Sequence, residues 1–94
     1  MSIARTIVSE INVIDPWALP AWGAKEVVLM NDGLKFKTSG SVGWKGYVYI
    51  QYDYGRDLYN IVFARIRKLT WVVEEKIEQV YVKDLVRIIN EKVC

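Results

Sequence analysis

The chain predicts an α+β domain: an antiparallel meander of four to five strands, with an N-terminal and a C-terminal helix packed on one face. Three observations predict it. Apolar residues recur at helical spacing near both ends of the chain. Between them the period falls to two over several segments. Short turn signals, not long crossovers, separate those segments, so consecutive strands pair antiparallel.

Ile3, Ile7, Ile11 and Ile14 form one stripe of a first helix, widened by Ala4 and Val8, with Ser2 placed to cap it. The β-branched content is high, so this helix depends on docking more than on propensity. In DPWALPAWGAK, Asp15 and Pro16 signal a helix start, Pro20 interrupts it and Gly23 ends it. Trp17 and Trp22 are expected to plug the core under the sheet.

EVVLM is a short apolar strand, and Asn31 to Gly33 is a tight turn. LKFKTS alternates, with Leu34, Phe36 and Thr38 on one face and Lys35, Lys37 and Ser39 on the other. Gly40 to Gly46 is a loop carrying Trp44 and Lys45. YVYIQYDY sets Val48 and Ile50 against Tyr47, Tyr49 and Gln51. After the turn from Tyr54 to Asp57, LYNIVFARIRK is apolar on both faces at first, as a central strand is, and then carries Arg65 and Arg67 on one side. Which face that is depends on whether a bulge interrupts the strand. LTWVVEEKIE is the last strand. Val82, Leu85, Val86, Ile89 and Val93 then line one side of a closing helix.

Ninety-four residues with no linker or repeat make residues 1–94 a single domain. With 52% hydrophobic residues the chain can offset its ordering entropy, which excludes a disordered protein. Thirteen basic and eleven acidic residues leave a net charge of +2, too mild to imply nucleic acid by itself. Cys94 is the only cysteine, so no intrachain disulfide forms. No apolar run reaches the length of a bilayer span, and the expected location is the cytoplasm, with no membrane partner. Histidine is absent. That removes the commonest general base and the commonest metal nitrogen ligand, so no cofactor and no metal site is expected, and the protein is not expected to be an enzyme. Asp32, Asp53 and Asp57 are the remaining carboxylate candidates, and turn geometry alone accounts for aspartate at such positions.

Two surfaces remain as candidates. If Leu34, Phe36, Val48 and Ile50 face the helices, Lys35, Lys37, Tyr47 and Tyr49 share the opposite face, where Arg65 and Arg67 could join them. Cations that track phosphates beside rings that stack on bases would suit a single-stranded nucleic acid. Tyrosine and lysine equally suit the solvated side of a sheet. The other surface is a protein contact, made by an edge strand or by exposed rings, above all Trp44 in its glycine loop. Paired edges would give a homodimer; capped edges leave a monomer.

Taken in order, DGLKFKTSG, KGYVYIQYDYGRDLYNIVFARIR and VYVKDLV resemble a group of small proteins carried by bacteriophages and other bacterial mobile elements. The matching positions are Leu34 to Lys37, Lys45 and Gly46, Asp57 to Tyr59, and Val80, Tyr81 and Leu85; AWGAK before the first strand is similar too. The resemblance covers about three quarters of the chain and implies an origin, with a bacterial host, but carries over no catalytic residue. The expectation is a non-enzymatic accessory protein that binds a host or viral protein, with inhibition of a defence or regulatory factor as one form of that role. Trp44, Lys45, Tyr47, Tyr49, Arg65 and Arg67 are the expected contacts, rings as anchors and cations as steering. The alternative is a single-stranded nucleic-acid binder using Lys35, Lys37, Tyr47 and Tyr49.

Overall fold

The computed structural model describes residues 3–40 and 43–93. Ser2, expected as the cap of the first helix, and Cys94 lie outside them. Helix α1 (Ile3–Ile14) is followed by the one-turn helix α2 (Ala18–Ala21) and by strands β1 (Lys25–Leu29), β2 (Gly33–Lys37), β3 (Tyr47–Asp53), β4 (Leu58–Arg67) and β5 (Thr70–Val80). A 3₁₀ turn (Val82–Asp84) leads into the last helix, α3 (Leu85–Val93). The five strands form one open antiparallel sheet in the order β1-β2-β3-β4-β5, the predicted meander. Among the described residues no helix is long and apolar enough to cross a membrane.

The period-two pattern sets which side chains meet the helices. Leu34 and Phe36 of β2, Val48 and Ile50 of β3, and Ile61 and Phe63 of β4 are fully buried. They pack with Ala4, Ile7 and Ile11 of α1 and with Leu85, Val86, Ile89 and Val93 of α3 in one core. The β-branched first helix therefore holds its shape against this layer, as its weak propensity requires. Val82, placed on the apolar stripe by spacing, lies before α3 begins and is partly exposed.

The proline-tryptophan segment divides its two large rings. Trp22 is fully buried and stacks on Phe36, with ring centres 5.9 Å apart and planes 2° apart. Its indole N–H donates to Asn90 Oδ1 at 2.5 Å, which ties the end of α2 to α3. Trp17, expected in the core beside it, is 74% exposed. Pro16 and Pro20 limit α2 to a single turn, and residues 17 and 22 of so short a turn project to different sides. Gly23 then takes φ +65°, where a Cβ would lie 2.1 Å from Ser39 Oγ.

Both edges of the sheet are irregular. The β1–β2 register slips between Lys25 and Val28, and Glu26 sits at φ +51°. The β4–β5 register slips twice, between Tyr59 and Ile61 and again between Phe63, which pairs with Glu75, and Ala64, which pairs with Val73. Each slip puts its extra residue on β5, Glu74 at the second, so β4 keeps a plain alternation.

Candidate functional site

Register assembles the face that the helices leave uncovered. Lys35 lies opposite Tyr49, and Lys37 opposite Tyr47, on the paired strands β2 and β3. Tyr49 in turn lies opposite Val62, and Tyr47 opposite Ala64, on β4. Ala64 lies opposite Val73, and Ile66 opposite Trp71. Lys35, Lys37, Tyr47 and Tyr49 therefore do share one face, as the alternation predicts.

Trp71 completes the group, and sequence reasoning gave it no role. Its ring lies 5.4 Å from that of Tyr47, tilted by 47°. Lys35 Nζ stands 5.6 Å from the Trp71 ring centre, and Lys37 Nζ stands 5.7 Å from that of Tyr47. Ammonium groups over ring faces are attracted by the ring quadrupole. Each cation thus shields an aromatic surface that would otherwise meet water. Beyond them Ile66 is 52% exposed, Val73 51% and Trp71 40%.

Arg65 and Arg67 do not join this face. Because β4 has no bulge of its own, Arg65 falls on the side of Phe63 and Arg67 follows by alternation. The Arg65 guanidinium lies 5.5 Å from the Trp44 ring, and its Nε is 2.8 Å from Glu74 Oε2. Trp44 has folded back over the end of the core. Its ring meets Phe63 edge-on, with centres 5.6 Å apart, and Lys92 Nζ approaches from α3 at 5.5 Å. Its backbone N–H donates to Val93 O at 3.1 Å. Thr38, buried, clamps the base of the same loop: its hydroxyl donates to Trp44 O at 3.0 Å and accepts from the Gly46 N–H at 3.1 Å. Lys45 is exposed beside this clamp and lines a cleft with Lys37, Gly46, Tyr47, Arg65 and Ile66.

The carboxylates of the turns are engaged in structure. Asp32 accepts from Tyr49 Oη at 2.5 Å and from Gln51 Nε2 at 2.9 Å. Asp53 accepts from the backbone N–H groups of Gly55 and Arg56, closing its own turn. Asp57 accepts from the Tyr52 hydroxyl. Among the described residues no three His, Cys, Asp or Glu side chains group as metal ligands.

The Tyr49 and Gln51 donors hold the Asp32 carboxyl below its ordinary range. Burial, and then the Asp32 carboxylate, push Tyr49 up to about 12. A depressed carboxyl stabilises the fold above its unfolded pKa and loses that contribution as pH falls through its folded value. A raised phenol stabilises below its unfolded pKa and loses that contribution as pH rises through the folded one. The pair therefore contributes fully between the two ordinary values, 3.8 and 10.0. Asp32→Asn should lower the melting temperature at neutral pH and flatten its fall below about pH 4. Thermal unfolding followed by circular dichroism across that range checks both.

Comparison of the chain with family models, with curated proteins and with solved structures finds no match.

Proposed function

We propose that this chain works by contact, as a non-enzymatic accessory protein that binds another protein through the uncovered face of its sheet. The observation that carries the reading is the composition of that face. The solvated side of an antiparallel sheet ordinarily places polar residues at its outward positions. Here the outward positions of β4 and β5 include Ile66, Trp71 and Val73, all exposed, with Val62 and Tyr47 half-buried among them. Exposed tryptophan and tyrosine set among aliphatic groups are the usual anchors of protein interfaces. Strand addition at an edge is the weaker route, because bulges interrupt both β1 and β5 and disfavour a new ladder.

The nucleic-acid alternative is less favoured by the same geometry. The rings of Tyr47 and Trp71 are tilted by 47°, not parallel. A row of stacked bases needs open, successive ring faces. The resemblance of the β2, β3–β4 and α3 segments to small phage and mobile-element proteins supports a partner from the host or the virus. Blocking a defence or regulatory factor is the role such a partner would give the chain. The test is capture of a partner from bacterial lysate by the wild-type chain and by Trp71→Thr and Ile66→Thr, with retained protein measured by mass spectrometry. Equal retention by wild type and both variants would remove the proposal.

A further inference from the structure

Charge is unevenly distributed along the strands. The meander brings the start of β1, the end of β2, the start of β3 and the β4–β5 hairpin to one end of the sheet. That end carries Lys25, Lys37, Lys45, Arg65, Arg67 and Lys68. Two carboxylates reach these cations: Glu26, 4.0 Å from Lys37 Nζ, and Glu74, 2.8 Å from Arg65 Nε. Among the described residues Lys25, Lys45, Arg67 and Lys68 have no carboxylate partner. The turns at the opposite end carry Asp32, Asp53 and Asp57 against Arg56.

The basic end is concave as well as charged. A cleft of about 390 Å³ opens there, lined by Lys37, Lys45, Gly46, Tyr47, Arg65 and Ile66. Ile66, on its wall, lies directly opposite Trp71, so the apolar patch adjoins the cleft. Of the cations that line the cleft Lys45 has no carboxylate partner, and Arg67 and Lys68 add unmatched charge at the same end of the sheet; an excess of positive charge there raises the local concentration of anions, and the adjoining apolar surface favours a ligand that carries an apolar group next to its charge.

We infer that the basic end of the sheet receives an acidic segment of the partner protein, with Asp or Glu side chains in the cleft against Lys37 and Lys45 and a neighbouring apolar side chain on Ile66 and Trp71. The inference rests on the contact function proposed above and adds the chemistry of the partner. Carboxylates spaced along a polypeptide suit the site better than a continuous phosphate chain. Glu26 and Glu74 stand among the cations and would repel an unbroken line of charge, whereas separated carboxylates can pass between them.

The test titrates fluorescein-labelled peptides into the full chain at low and at physiological salt, read by anisotropy. One peptide alternates glutamate and leucine, a second alternates lysine and leucine, and a labelled oligothymidine strand is the third probe. The glutamate peptide should bind, and its affinity should fall about tenfold in the Lys45→Glu/Arg67→Glu double variant and again as salt rises. The lysine peptide and the oligothymidine should bind more weakly than the glutamate peptide. Both substituted residues are exposed, and an unchanged thermal transition shows that the variant is folded. A glutamate peptide that does not bind, or that binds the double variant equally, overturns the inference, as does tighter binding of oligothymidine. The lysate capture separates this failure from that of the contact function. A partner retained by Lys45→Glu/Arg67→Glu but lost by Trp71→Thr removes the acidic segment and leaves the sheet face standing. A partner retained by both removes the face itself.

Discussion

Trp22→Ala is expected to cost about 3–5 kcal/mol of folding stability, the largest effect of any single substitution outside the contact face. Three contributions are lost together. The side chain is fully buried, so its apolar area returns to solvent or leaves a cavity. Its stacking on Phe36 disappears, and Phe36 is one of the two fully buried β2 residues that meet the helices. The bond from its indole N–H to Asn90 also goes, leaving the amide of α3 without that donor. For a domain of this size each kcal/mol shifts the melting temperature by roughly 4–8 °C, so a fall of at least about 12 °C is expected. Trp17→Ala, near the start of the same short segment, should shift it by less than about 4 °C, because an exposed side chain contributes within about 0.5 kcal/mol. Thermal unfolding of the two variants side by side checks the division of roles, and equal losses would contradict it.

Trp71→Thr should weaken partner binding about 30-fold, the loss associated with a truncated interface anchor worth about 2 kcal/mol or more. Threonine keeps the β-branched shape that suits a strand, so the fold is left in place. What disappears is the ring that meets Tyr47 and lies under the Lys35 ammonium. Ile66→Thr, across the strand pair from Trp71, should weaken binding by a smaller factor, because an aliphatic group contributes less area than an indole. Affinities measured by surface plasmon resonance against the captured partner give both values. An unchanged melting temperature assigns the loss to the surface and not to unfolding.

The layers of the fold were legible because periodicity and turn residues agreed at almost every element. Leu34, Phe36, Val48 and Ile50 alternate with lysine and tyrosine, and a period of two leaves no freedom over which set faces the helices. The same alternation placed Lys35, Lys37, Tyr47 and Tyr49 together. Trp71 was not legible as their neighbour, because its position depends on the hairpin between β4 and β5. That hairpin turns on Lys68 and Leu69, at φ +51° and +65°, and Leu69 is 99% exposed. Tight hairpin turns with both central residues left-handed ordinarily use asparagine and glycine. With lysine and leucine there instead, nothing in the turn between LYNIVFARIRK and LTWVVEEKIE fixes its register, and the pairing of Ile66 with Trp71 does not show. The faces of Arg65 and Arg67 were undetermined for a related reason: they turn on which strand carries the bulge, and it fell at Glu74 on the partner strand. The two tryptophans of the proline segment were merged because composition alone does not say which side of a one-turn helix meets the sheet.

The measurement that bears most directly on contact through the uncovered sheet face is site-specific photo-crosslinking in bacterial lysate. A photoreactive phenylalanine analogue placed at Val73, on that face, is compared with one at Glu91, on the exposed side of α3. The account predicts a discrete adduct from position 73 and none of the same mass from position 91. An adduct formed only from position 91 would show that the partner meets the helical layer, and would contradict it.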